Sequence, residues 1–334
     1  MRRHCVLLAM VFLVLVVLTS TVQLQAAPLK KVRASYAALA YANPPFWIAK
    51  DLGIFEKYGL DVDLSFVSGG KGINAMIGGS IDVAQVGGTA TIPAATEGAD
   101  VVILGTVFNR LVFTVHVAKE INNLNDLKGK IIATGTRGGN DYFGALVLIN
   151  HLGWVLNRDV KIVFVGDTRA VMVSLQQGNV QGGILSPPTS FKAVEMGLRE
   201  IFDIGSLNIP FPTISVVSTR KFVRENPEVT LNVLRATSEA VYIYKTRKDL
   251  AFPVIAKYMK ISQDDPGIAQ SYALYGKAMD ETMTVSMDGI KYILDYLAEH
   301  ENKPELAKKD PAEFTDIRFI KQLETEGFFK KLGK

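Results

Sequence analysis

Two stretches of the chain share one grammar of hydrophobic and polar positions. Asp61-Val62-Asp63-Leu64-Ser65-Phe66-Val67 and Asp159-Val160-Lys161-Ile162-Val163-Phe164-Val165 each read as a strand, roughly a hundred residues apart. Each runs into a polar turn, Ser68-Gly69-Gly70 or Asp167-Thr168-Arg169, and then into a helix ending near Gly79 or Gly178. A short apolar run follows and closes on Gly87-Gly88-Thr89 or Ser186-Pro187-Pro188. Few identities are shared, so the match is one of pattern. It predicts two α/β lobes of like construction, with a cleft between them where a small ligand would sit.

The rest of the pattern fits that plan. A first strand is predicted over Val32 to Tyr36, and a helix over Pro45 to Tyr58 puts Phe46, Ala49, Leu52 and Gly53 on one face before Gly59 stops it. Helices over Gly72 to Ile77 and Ile92 to Glu97 alternate with strands over Val83 to Val86 and Val101 to Thr106, which implies a mainly parallel sheet. After the polar connector Asn122 to Lys130, a strand over Ile131 to Thr134 and a helix over Asp141 to Leu152 open the second lobe. Phe211 to Ser218 reads as a strand returning to the first lobe, and chain crossings near Val115 to Ala118 and Val216 to Ser218 would form the hinge. The first lobe then takes residues 28–117 and 218–334, and the second takes 118–217. From Asn226-Pro227 onward the chain turns helical. Its clearest stripe is Ile290, Ile293, Leu294 and Leu297, and the tail is expected to complete the first lobe rather than form a small separate domain.

The N-terminus sets the expected compartment. Met1-Arg2-Arg3-His4 is a basic start, Val6 to Leu18 is nearly all apolar, and Gln25-Ala26-Ala27 offers small residues for cleavage. That apolar run is about 13 residues, short of the about 20 a spanning helix needs. Residues 1–27 are therefore read as a signal peptide, and the mature chain as periplasmic with no membrane insertion. The single cysteine, Cys5, lies within that segment, so disulfides, thiolate catalysis and Cys-ligated metals are not expected of the mature chain. Losing Arg2 and Arg3 takes the 37 basic residues to 35 against 33 acidic ones, a net charge near +2 that is no nucleic-acid footprint.

Candidate chemistry is sparse. His116, His151 and His300 are widely spaced, no H-E-x-x-H is present, and no metal is expected. Ser68-Gly69-Gly70-Lys71 has S-x-x-K spacing without its companion motifs. Gly70-Lys71-Gly72-Ile73-Asn74-Ala75 resembles a dinucleotide fingerprint, but the strand after it ends in Gly87-Gly88-Thr89 without the acid that would hold a ribose, so no cofactor is expected. The glycines have a simpler use: a Gly-rich turn at a helix N-terminus lets backbone N–H groups approach an anion. Thr136-Arg137-Gly138-Gly139-Asn140-Asp141 repeats that arrangement with a guanidinium, and Arg137 could grip a carboxylate, sulfonate or phosphate by paired hydrogen bonds. Asp141 reads as a helix N-cap in preference to a ligand contact. Asn43 could offer an amide and Phe46 an apolar wall, with a buried staple as the alternative for Phe46 and the favoured reading for Trp47. Gly88, Thr89, Asp167 and Ser186 stand at carboxyl ends of predicted strands, where open α/β sheets place ligands. The candidate ligand-binding set is thus Asn43, Phe46, Ser68, Gly69, Gly70, Gly88, Thr89, Arg137, Gly138, Asn140, Asp141, Asp167 and Ser186, with no catalytic group among them.

Three segments carry a family resemblance: Pro45-Phe46-Trp47-Ile48-Ala49-Lys50-Asp51-Leu52-Gly53-Ile54-Phe55-Glu56-Lys57-Tyr58-Gly59-Leu60-Asp61-Val62, Gly79-Ser80-Ile81-Asp82-Val83-Ala84-Gln85-Val86-Gly87, and Leu127-Lys128-Gly129-Lys130. Through them almost the whole mature chain resembles periplasmic solute-binding proteins of nitrate, sulfonate and taurine ABC importers, a group that includes thiamine-pyrimidine binding proteins. The resemblance implies a type II periplasmic-binding fold that closes on a small-molecule solute and docks transiently on a membrane permease. It places Asn43 to Phe46, Ser68 to Gly72 and Arg137 to Asp141 at the site. A non-enzymatic, monomeric receptor is the expectation, with a secreted enzyme of the same fold or a sensor subunit as alternatives. The pyrimidine-synthase branch uses a cysteine-rich motif that this chain lacks.

Overall fold

The computed structural model describes residues 28–332, so the expected signal peptide lies outside the described residues. Ten strands form among the described residues: β1 (Lys30–Tyr36), β2 (Leu60–Phe66), β3 (Val83–Val86), β4 (Val101–Arg110), β5 (Thr114–Val117), β6 (Ile131–Thr134), β7 (Lys161–Phe164), β8 (Gly182–Leu185), β9 (Arg199–Asp203) and β10 (Pro210–Thr219). They make two five-stranded sheets, ordered β2-β1-β3-β10-β4 and β7-β6-β8-β5-β9. The orders correspond strand for strand. The two similar sequence stretches become β2 and β7, the same edge strand of each sheet, and the helices after them, Gly69–Ile77 and Thr168–Gln176, lead to the equivalent strands β3 and β8.

Each sheet has four strands in one direction and one opposed. The odd strand is β10 in the first sheet, antiparallel to β3 and β4, and β5 in the second, antiparallel to β8 and β9. The direction follows from how the chain travels. It leaves one sheet at the carboxyl end of β4 or β9 and enters the other from the side where the two sheets face, so the entering strand must run away from that side. Strand pairing places the crossings at residues 111–113 and 204–209. This corrects the expected positions near 115–118 and 216–218, because β5 is paired wholly in the second sheet and β10 wholly in the first.

Helices cover both faces of the first sheet. The predicted helix over Pro45 to Tyr58 forms as two pieces, Pro44–Asp51 and Ile54–Lys57, broken where Gly53 takes φ +68°, a left-handed turn that glycine adopts without strain. Phe46, Trp47 and Phe55 from these pieces pack with Leu234, Tyr244 and Ile255 of the helical tail. On the other face lies the helix Met287–His300, whose Ile290, Ile293, Leu294 and Leu297 are all buried. It packs on β10 and on the helix Gly88–Thr96. This second core continues through Phe211 into Phe143 of the second lobe, whose rings lie 5.4 Å apart. A smaller core, with Val171, Leu175 and Ala193, sits under the helices Thr168–Gln176 and Thr189–Glu195.

Candidate functional site

β3 of the first lobe and β6 of the second each lead into a helix, and the starts of those two helices meet at the Asn140 side chain. Asn140 opens the helix Asn140–His151; its Oδ1 accepts from the Thr89 hydroxyl at 2.9 Å, and its Nδ2 donates to the Thr213 carbonyl at 3.1 Å. Thr89 belongs to the helix Gly88–Thr96, which follows β3 in the first lobe, so the contact joins the starts of two helices across the crevice. Glycine is needed for this approach. A Cβ on Gly87 would lie 2.9 Å from the Thr213 carbonyl oxygen and 3.1 Å from Asn140 Oδ1, and one on Gly88 would lie 2.5 Å from Pro212 Cγ. The helix begins a turn earlier than the sequence pattern indicated, at Gly88 in place of Ile92, which brings Gly88 and Thr89 into its first turn.

Three helices that follow strands have caps making no side-chain bond: Gly69–Ile77 after Ser68, Gly88–Thr96 after Gly87, and Asn140–His151 after Gly139. Ser68 and Gly70 are exposed and Gly69 is half-buried with φ +39°, so this turn opens to solvent. The helix after β7 is different. Asp167 caps it by accepting from the Ala170 N–H at 2.9 Å, so this carboxylate serves its own helix. Ser186 is half-buried at the end of β8, where its carbonyl accepts the Ser190 N–H.

Several predicted site residues are placed elsewhere. Phe46 is not a cleft wall; its ring is fully buried edge-on to Phe55, 5.7 Å away. Asn43 is buried as well, and its Oδ1 accepts from Gln85 Nε2 at 3.2 Å while Gln85 Oε1 accepts the Phe46 N–H at 3.1 Å. The amide expected to meet a solute instead ties the start of a helix to β3. Gln85 is the residue the sequence reading missed, and its signal was a polar side chain inside the otherwise apolar Val83-Ala84-Gln85-Val86. Asp141 is not the N-cap, a position held by Gly139. Its carboxylate reaches back to the Gly135 N–H and also accepts the Tyr142 N–H at 3.0 Å, and burial raises its pKa against the opposing pull of these bonds. It braces the turn that holds Gly138, at φ +75°, and Arg137. Arg137 itself lines a lateral groove with Tyr142 and Phe164 of its own lobe and Tyr296 and His300 of the tail. Among the described residues, no three His, Cys, Asp or Glu side chains gather as a metal site, and no helix is long and apolar enough to cross a membrane.

Comparison with known proteins places this architecture. The model of the family described as NMT1/THI5 like matches residues 43–247. A Brucella abortus (strain 2308) protein, whose name marks it only as a candidate binding protein, is 26% identical over 266 residues, covering 77% of this chain and 80% of its own. The periplasmic aliphatic sulphonate binding protein SsuA from Escherichia coli superposes with a TM-score of 0.70 at 21% identity, covering 85% of this chain and 98% of that one. The periplasmic nitrate-binding protein NrtA from Synechocystis PCC 6803 does so with a TM-score of 0.65 at 15% identity, covering 90% and 89%. The two-lobed α/β architecture is thus the type II periplasmic-binding fold. With the family model spanning well over half of its length, the chain belongs to the NMT1/THI5-like family.

Proposed function

We propose that the protein is an extracytoplasmic solute receptor that holds one small anionic solute between its lobes and delivers it to an ABC importer. The observation that carries this reading is the meeting of two uncapped helix starts, Gly88–Thr96 and Asn140–His151, at the Thr89–Asn140 contact. Asp141 takes the Tyr142 N–H, and the other N–H groups of the two first turns, with the positive ends of two helix dipoles, favour a negative group there. Ser68, Gly69 and Gly70 add a third uncapped start from the first lobe. A solute touching both lobes favours their juxtaposition by the affinity it gains only when both are in reach, a shift in population between open and closed forms. The names of the structurally similar proteins, which describe sulphonate and nitrate binding, lend support to an anionic solute.

The test is a thermal-shift screen of the purified protein over sulfonates, carboxylates, nitrate, pyrimidines and riboflavin-like compounds. A ligand bound only by the native state raises the melting temperature, and a hundredfold excess over Kd is worth about 2.7 kcal/mol. The reading predicts a shift with one or more anions and recovery of the solute unchanged. Shifts confined to neutral or cationic compounds, or chemical turnover of the compound, would contradict it.

A further inference from the structure

The lateral groove that holds Arg137 lies outside the Thr89–Asn140 crevice and has a chemistry of its own. Its cavity is about 260 Å³. One side belongs to the second lobe, with Tyr142 on the helix Asn140–His151 and Phe164 on β7, their rings 5.3 Å apart. The other belongs to the helix Met287–His300, where the His300 imidazole stacks on Tyr296 at 4.2 Å with an interplanar angle of 19°. The two sides are joined by the Tyr142 and Tyr296 hydroxyls, 2.5 Å apart. Phe164 is 45% exposed although it is a large aromatic side chain, and Leu156 and Ile162 extend its apolar wall. Among the described residues Arg137 is the one lining residue with a fixed charge, and the nearby Glu301 carboxylate acts on the Tyr296 hydroxyl from outside the lining.

We infer that this groove is a second ligand site, for a small planar aromatic acid. The half-exposed Phe164 ring and the Tyr296–His300 stack, backed by the buried Tyr142, present faces and edges that another ring packs against, and the exposed Arg137 guanidinium presents the fork that a carboxylate accepts in two parallel bonds. The volume suits one six-membered ring with its acid group, being just below the range of drug-sized pockets. An inorganic anion would use Arg137 and leave the aromatic walls in water. A molecule seated here touches the second lobe and the tail helix of the first together, so binding favours the arrangement in which Tyr142 meets Tyr296.

Benzoate is the probe, followed by NMR titration of the purified protein. It is expected to bind saturably with Kd below about 1 mM. Arg137→Gln is expected to weaken it at least tenfold, and benzyl alcohol, which has the ring without the charge, to bind at least tenfold more weakly than benzoate. Phe164→Ala removes the apolar wall and is expected to weaken benzoate as a second, independent variant. Thr89→Val, in the crevice, acts on benzoate only through the lobe arrangement and should change its affinity less than Arg137→Gln does, which separates this site from the proposed solute site. Absence of saturable benzoate binding, benzoate affinity indifferent to both groove variants, or affinity lost through Thr89→Val in their place would overturn the inference.

Discussion

Replacing Leu294 by alanine is expected to cost about 3 kcal/mol of folding stability. Leu294 sits mid-helix in Met287–His300 and is fully buried, with Ile290, Ile293 and Leu297 on the same stripe. The core it joins includes Ile92 and Phe211 and runs on into Phe143 of the second lobe. Removing three methylene-sized groups from such a site loses their transfer free energy and leaves a cavity that the close-packed neighbours fill only in part. The adjacent surface offers the contrast. Lys291 pairs with Asp295 on the exposed side of the helix, and Lys291→Ala should cost less than about 1 kcal/mol because water already solvates both charges. Urea unfolding of the two variants checks both figures; a Leu294→Ala loss no larger than that of Lys291→Ala would show that this stripe does not anchor the core.

Acid should destabilise the protein through His116. This histidine lies in β5, between β8 and β9 of the second sheet, fully buried, with Nδ1 3.3 Å from the Thr114 hydroxyl and Nε2 3.8 Å from Glu200 Oε2. Nε2 has no hydrogen-bond partner. Burial lowers its pKa from 6.5 to about 4, although the Thr114 and Ser190 backbones pull the other way. The neutral ring is thus the native form. Between pH 6.5 and about 4 the unfolded chain binds the proton and the folded chain does not, so stability is complete above 6.5 and falls as pH drops through that window. A shift of this size corresponds to at most about 3 kcal/mol by pH 4. Glu200 works in the opposite direction, since burial and the nearby Asp203 raise its pKa and proton uptake there favours the fold at the acid end. His116→Gln should flatten the dependence. Urea melts of wild type and variant at pH 7.5 and pH 5 would measure it, and an equal acid loss in both would assign the effect to other groups.

Much of the fold was legible because its two halves repeat one hydrophobic pattern. The strands at Asp61 and Asp159 occupy the same edge position of two sheets with the same order, and the Ile290 to Leu297 stripe marks a buried helix face. The crossings were less legible. Val101 to Val117 and Ile209 to Thr219 are long apolar stretches, and alternation cannot say where a strand leaves one sheet for another; Asn208, in the left-handed region at φ 50°, marks the second crossing. The site was only partly readable for a similar reason. Periodicity shows that Phe46 turns inward, but a core and a cleft are both inward, and it is Phe55 that receives the ring. Arg137 was recognisable as a cation at a glycine-rich turn, whereas the groove it lines depends on Tyr296 and His300, which no local pattern connects to it. Asn140 was recognisable as a polar side chain at a helix start after a strand, whereas its partners Thr89 and Thr213 lie far from it in the chain.

The proposal that one solute is held by both lobes at once is tested most directly by calorimetric titration of the strongest screening hit into wild type, Thr89→Val and Asn140→Ala. Each variant removes one side of a contact that joins the two lobes. A solute seated there should bind wild type at one site per chain and lose at least tenfold affinity, about 1.4 kcal/mol, in both variants. Affinity unchanged in either variant would place the solute outside this crevice and contradict the account.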